Sequence, residues 1–229
     1  MQEIIVDWQI DVVICIDGSS SMNPFIDEFK KNAVSFYQTF MEKMRDEEQY
    51  VSKVRSKVIV FRDYGCDDEP MVESKFFTLP DENDAFRNLV TSIEAKGGGG
   101  GSENALEAIA LALKSDWTTG GRRRRHVILV LSDAAALPLK AEGRVDSPNY
   151  PSGMPDDIAQ LAAWWEGTDQ TLGSAYLPKA GRLVAFVPKC EPWIKMQSWN
   201  RYWPAFSKAG EGLGDVDIQA AIDLMVGSF

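Results

Sequence analysis

Residues that usually announce chemistry are scarce in this chain. Its 229 residues contain one histidine, His126, and three cysteines, Cys15, Cys66 and Cys190. No Cys-x-x-Cys or Cys/His spacing of a zinc site occurs, and the odd, scattered thiols give no disulfide framework and fit a reducing compartment. A lone histidine at the start of a strand leaves no Ser-His-Asp or Cys-His relay to assemble, so none is expected. No apolar run approaches the roughly 20 residues that cross a bilayer, so no membrane span is expected. The first eleven residues lack the basic and then apolar pattern of a secretory signal, which makes a cytoplasmic location the expectation. Positive charge is short as well: 24 Lys and Arg stand against 34 Asp and Glu, a net charge of −10. That balance argues against nucleic acid, whose phosphates call for a positive face. The one basic run, Arg122 to Arg125, leads into the apolar stretch His126 to Leu131. It reads as a solvated loop entering a strand, with a local binder of anions as the other reading. No Pro/Ser-rich linker divides the chain, so residues 1–229 are expected to form a single domain with a core of its own.

Short apolar runs recur: Ile10 to Ile16, Lys57 to Phe61, Val127 to Leu131 and Arg182 to Val187. Such runs suit strands buried on both faces of a parallel sheet. Val72 to Phe77 follows a turn-rich stretch and reads as an antiparallel edge strand. Between the runs lie helical patterns. Phe25, Phe29, Ala33, Phe36, Phe40 and Met44 fall on one face of one helix, with Asn23 as its N-cap and Pro24 at its first position. Further helices are expected over Asp81–Ile93, Glu103–Leu113, Asp156–Glu166, Pro192–Asn200 and Asp217–Val226. The expected fold is therefore α/β, with a doubly wound, mostly parallel central sheet, one antiparallel edge strand and helices on both faces.

Open parallel sheets bind ligands beyond the carboxyl ends of their strands. There this sequence sets Asp17-Gly18-Ser19-Ser20-Ser21 after the first strand, Ser132-Asp133 after a later one, and Ser102 at the end of five consecutive glycines, Gly97 to Gly101. The glycine run reads as backbone that passes close to a site. Carboxylates and hydroxyls without imidazole or thiolate suit a hard cation: Mg²⁺ first, with Mn²⁺ or Ca²⁺ also compatible.

Asp17-Gly18-Ser19-Ser20-Ser21-Met22 resembles the Asp-x-Ser-x-Ser signature of von Willebrand factor type A domains, and Val130-Leu131-Ser132-Asp133-Ala134 resembles that family's strand ending in a metal-site aspartate. The resemblance runs over essentially the whole chain. Through Phe61-Arg62-Asp63-Tyr64-Gly65 and the long loop Pro138 to Pro155 it leans toward intracellular bacterial members. It implies a metal-ion-dependent adhesion site. Ser19 and Ser21 would bind the metal through hydroxyls, Asp17 and Asp133 would bind directly or through water, and one position would stay open for an acidic side chain of a partner protein. It also implies partners such as AAA-type ATPases or kinase and phosphatase signalling systems. One departure is visible: the family's glycine-loop ligand falls on Gly100, which has no side chain, so Ser102 stands as the substitute ligand and Asp63 as a further candidate.

Taken alone, Ser102 reads as a helix N-cap and Asp63 as an ion-pair or turn residue. Trp164, Trp165, Trp193, Trp199 and Trp203 read as packing residues, and Trp193, Met196, Trp199 and Trp203 are near helical spacing. The function expected is a non-enzymatic, metal-dependent protein-interaction module. The alternative is a Mg²⁺-dependent phosphohydrolase with Asp17 as nucleophile. Against it, the second aspartate that such enzymes use as general acid is replaced by Ser19. Nucleotide binding by the glycine run lacks the Lys-Ser/Thr ending of a P-loop.

Overall fold

The computed structural model describes residues 7–32, 35–207, 213 and 218–229. The four expected buried runs form strands β1 (Trp8–Asp17), β2 (Val51–Phe61), β6 (Arg123–Leu131) and β8 (Gly181–Pro188). All of these run parallel, in the order β2-β1-β6-β8. The antiparallel edge beside β2 is present but divided. β3 (Met71–Glu73) pairs with the carboxyl end of β2, while β4 (Phe77–Leu79) pairs with its middle. A small parallel pair, β5 (Ser102–Glu103) with β7 (Ala135–Ala136), lies apart from the main sheet.

Alternation along each central strand sends its side chains to two cores. Val12, Ile14 and Ile16 of β1 meet α1 (Asn23–Asn32), α2 (Phe36–Asp46), α3 (Asn83–Ser92) and α6 (Ile218–Gly227). Val13 and Cys15 meet α4 (Ala105–Leu113) and α5 (Ile158–Glu166) on the other face. Because both faces are covered, period-two patterning is absent from the sequence of these strands. No described helix is long and apolar enough to cross a membrane.

Three expectations need correction. The single helix from Phe25 to Met44 is two helices, α1 and α2, although Phe25, Phe29, Phe36, Phe40 and Met44 are all buried as their spacing requires. Ala33, like Asp217 at the start of the last expected helix, lies outside the described residues. Asn23 is not an N-cap: a 3-10 turn, Ser20–Met22, runs directly into α1, and Asn23 already has helical φ and ψ of −52° and −46°. The stretch Pro192–Asn200 forms only a 3-10 turn, Lys195–Ser198, and Trp203 belongs to a strand, β9 (Tyr202–Ser207), parallel to β8 at the sheet edge. Aromatic residues at three- and four-residue steps suit a helix, but their rings serve different partners. Trp193 is fully buried and donates its indole N–H to the carbonyl of Ala134 (3.1 Å), whereas Trp203 packs at the far edge under Arg182.

Candidate metal centre

β1 leads through α1 and α2 to β2 on one side of it, and the next parallel strand, β6, lies on its other side. The crevice between the carboxyl ends of β1 and β6 is thus the switch point of the sheet, the place where open α/β folds take ligands. Asp17 closes β1 and Asp133 follows β6 by two residues, so both border this crevice.

A chain of hydrogen bonds draws the local residues together. The backbone N–H of Ser19 donates to Asp17 Oδ1 (2.9 Å), and the Ser132 hydroxyl donates to Asp17 Oδ2 (2.6 Å). Ser21 Oγ donates to Asp133 Oδ1 (3.0 Å), and the Ser19 and Ser21 hydroxyl oxygens are 3.2 Å apart. Asp17, Ser19, Ser21 and Asp133 are therefore one cluster, joined across 112 residues by the Ser21–Asp133 hydrogen bond. Asp17, Ser19 and Asp133 are buried and Ser21 is exposed, so the cluster opens to solvent on the Ser21 side.

The glycine loop crosses directly over it. Gly97 accepts from both the backbone N–H and the hydroxyl of Ser20 (3.1 and 3.0 Å). At Gly98, φ is +84° and a Cβ would stand 2.6 Å from Ser19 Cβ and 2.8 Å from Glu103 Oε1, so neither the conformation nor the space admits a side chain. Gly100 is different: a Cβ there meets nothing within 4 Å, and its φ is not positive.

Ser102 is partly exposed and takes no part in the network; the residue buried beside the cluster is its neighbour Glu103. Pairing of β5 with β7 puts Glu103 just beyond Asp133, and the Leu137 N–H donates to the Glu103 carbonyl (2.8 Å). Asp63, the other candidate, is held by Arg144 through two hydrogen bonds (2.9 and 2.8 Å) and accepts from Gly65 N–H (2.7 Å). Its carboxyl sits below the usual range: burial alone would raise it, but the Arg144 guanidinium and the Gly65 N–H outweigh that.

Sequence reasoning missed Glu103 and Arg62, and it placed Ser132 at this edge without giving it a role. Arg62 is buried and spends its guanidinium on four main-chain carbonyls, those of Gly18, Lys96, Glu69 and Glu94 (3.0, 3.0, 2.9 and 2.8 Å). It binds the Asp17 loop to the segment before the glycines. Ser132 sits directly before Asp133, a hydroxyl beside a strand-end carboxylate, and that adjacency was a usable signal. Glu103 gave none, because an acidic residue at a helix start ordinarily serves the helix dipole in water.

The cluster is strongly negative. Asp17 is raised from its usual range, first by burial and also by Asp133, against hydrogen bonds from Ser132 and Ser19. Burial, then the charges of Asp17, Asp63, Asp67 and Asp133, pushes Glu103 up to about 8. Asp133 Oδ2 and Glu103 Oε2 are buried without hydrogen-bond partners. Buried unpaired carboxylate oxygens are costly, and native proteins retain them chiefly where something else binds them. Among the described residues no group of three or more His, Cys, Asp or Glu side chains is disposed to hold a metal ion. What the crevice offers is two carboxylates, that of Asp133 with an orphaned oxygen, and two hydroxyls, a donor set that fits a hard dication.

Residues 12–135, more than half of the chain and the part that carries all four clustered residues, match the family model described as the von Willebrand factor type A domain. The chain belongs to the von Willebrand factor type A domain family. Solved structures agree on the fold. Two crystal structures of the pilus adhesin SpaC from Lactobacillus rhamnosus GG, one in an open conformation, match 96% of this von Willebrand factor type A chain with TM-scores of 0.53 and 0.52 at 11% and 13% identity. The chain spans only 30% of SpaC. A von Willebrand factor type A protein from Catenulispora acidiphila is similar at TM-score 0.48 and 12% identity, over 94% of this chain and 42% of that one. No curated protein matches the sequence.

Proposed function

We propose that this chain is a non-enzymatic interaction module that binds one divalent cation, Mg²⁺ before Mn²⁺ or Ca²⁺, and uses it to hold an acidic side chain of a partner protein. Asp17, Ser19, Ser21 and Asp133 hold the ion. Ser102 is not needed for this reading, and Glu103 lies behind the cluster as a further carboxyl. The observation that carries the proposal is the unpaired Asp133 Oδ2 within a buried group of carboxylates that no cation of the protein neutralises among the described residues. A dication compensates such a group, and Ser21 leaves its outer side accessible. The ion would supply a Lewis-acidic centre for a carboxylate oxygen. The chain's own part is to fix the ligands: Ser132 and the Ser19 N–H orient Asp17, Ser21 orients Asp133, and the glycine loop covers Ser19.

The partner class suggested by the family resemblance is an AAA-type ATPase or a kinase or phosphatase signalling system, met in the cytoplasm. Thermal melting with Mg²⁺, Mn²⁺, Ca²⁺ and EDTA tests the shared premise, since an ion that binds the folded state raises the melting temperature. Asp17→Ala and Asp133→Ala should abolish the rise and, with it, metal-dependent capture of a partner. Turnover of a phosphate ester by the native protein and its loss in Asp17→Ala would instead support the hydrolase reading. No metal-induced shift for the native chain would remove the basis of both.

A further inference from the structure

The strands of the main sheet end in carboxylates at one pole, and they begin among arginines at the other. There the amino ends of β1 and β6 and the turn before β8 enclose a cleft of about 650 Å³. Arg122, Arg123, Arg124, Arg125 and Lys179 line it. Leu177, Pro178 and Ala180 supply an apolar wall, and Leu177 is 36% exposed.

None of the ion pairs among the described residues involves these five cations. The one carboxylate in the lining, Glu166, is already bonded to Arg201 (2.8 Å) and to the Asn200 N–H (3.0 Å). Arg125 is held in place by main-chain oxygens. It donates to those of Arg124 and Phe229 (3.0 and 2.9 Å) and lies 4.0 Å over the Trp8 ring, while its Nε is buried without a partner. Its geometry is therefore fixed. Arg123 also lies over Trp8, at 5.3 Å. A protein with 34 acidic residues has put none of those described here to neutralise this cluster beyond Glu166. That is expensive in a fold with nothing to bind at that pole, because like charges crowd one another and Arg125 is partly desolvated.

We propose that this cleft binds a compact organic polyphosphate. Arginine forks match phosphate oxygens in pairs. Several basic residues lining one cleft match several negative charges close together, which a lone carboxylate does not provide. The volume falls within the range of small-molecule sites, roughly 300–1,000 Å³, and the Leu177–Pro178 wall takes the organic part. A long acidic peptide or nucleic acid fits less well, since most of its length would face a surface of net negative charge. β1 separates this cleft from the Asp17 cluster by its full length of ten residues, about 30 Å at a strand's rise, so the two sites are independent.

Calorimetric titration of the full chain with ATP in EDTA at low salt tests the proposal, with inorganic triphosphate, oligoglutamate and a single-stranded DNA as comparison ligands. ATP should bind, inorganic triphosphate should bind less tightly for want of the apolar wall, and added salt should weaken both. Arg122→Gln/Arg124→Gln should weaken ATP about tenfold or more, through lost charge-assisted contacts, at an unchanged melting temperature. Lys179→Gln, at an exposed position, provides a second reading that does not depend on β6. Asp17→Ala should leave ATP binding unchanged. The proposal is overturned if neither ATP nor triphosphate binds, if the glutamine variants bind as the native chain does, or if oligoglutamate or DNA binds more tightly than ATP.

Discussion

Replacing Glu103 by glutamine keeps the shape of the side chain and removes its charge, which makes it a sensitive probe of the electrostatics beside the Asp17 cluster. The Glu103 carboxyl titrates near 4.5 when exposed and is pushed up to about 8 by burial and by Asp17, Asp63, Asp67 and Asp133. A carboxyl whose pKa is raised in the folded state holds its proton more tightly there than in the unfolded chain. Its contribution is therefore most favourable below about 4.5, falls as pH rises, and levels off above about 8. Linkage alone gives roughly 2 kcal/mol lost between about pH 6 and about pH 8. Water reaching the cluster past the exposed Ser21 screens part of this, which leaves about 1–2 kcal/mol. Asp17, also raised, adds to the loss in the same direction. The assay is urea unfolding in EDTA at the two pH values, read as free energy at a common slope. Native protein should lose stability on going to the higher pH, and Glu103→Gln should lose clearly less and be the more stable of the two there. If the variant shows the same pH dependence as the native chain, or is less stable at the higher pH, then Glu103 is not confined among carboxylates and the electrostatic account of the site is wrong.

Other perturbations follow from the same geometry. Gly100→Asp places a carboxylate where a Cβ meets nothing within 4 Å and φ is not positive; it should tighten Mg²⁺ binding at little cost in metal-free stability, read as a larger metal-induced melting shift. Gly98→Ala forces a Cβ into Ser19 and Glu103 at φ +84°; it should destabilise by more than about 1 kcal/mol and weaken metal binding, and an unchanged urea midpoint would contradict the close approach of the loop. Asp11 is buried and accepts two hydrogen bonds from Arg55 (2.8 and 2.7 Å), one from Thr118 N–H (2.6 Å) and one from the Thr118 hydroxyl (3.1 Å). Asp11→Ala should cost about 3–5 kcal/mol by stranding the partly buried Arg55, with no effect on metal affinity per folded molecule, because Asp11 lies six residues up β1 from Asp17.

Much of the candidate site was legible because its parts are local. Asp17, Ser19 and Ser21 fall within five residues, and a strand end is a marked position in any open sheet, so the chemistry and the place coincide in the sequence. Asp133 was legible for the same reason. The displaced ligand position was read less well. Ser102 has the right chemistry, but the β5–β7 pairing buries the next residue instead, and a shift of one along a strand moves a side chain to the other side. His126 was left out of any relay. It is buried and stacked on Trp117 at 4.7 Å, and one ring nitrogen lies 3.1 Å from the Thr118 carbonyl.

By itself, then, the sequence determined which strands would be central and which carboxyl and hydroxyl side chains would stand at their ends, because hydrophobic runs and short motifs act over a few neighbouring residues. Tertiary structure decided that Phe25 to Met44 would be two helices, that Trp203 would join an edge strand, and that Glu103 would be buried among carboxylates it has no local reason to meet. It also decided that four consecutive arginines would line one cleft with Lys179. Each of these depends on which segments the sheet order sets side by side, and contacts between residues far apart in the chain leave no periodicity for a sequence to display.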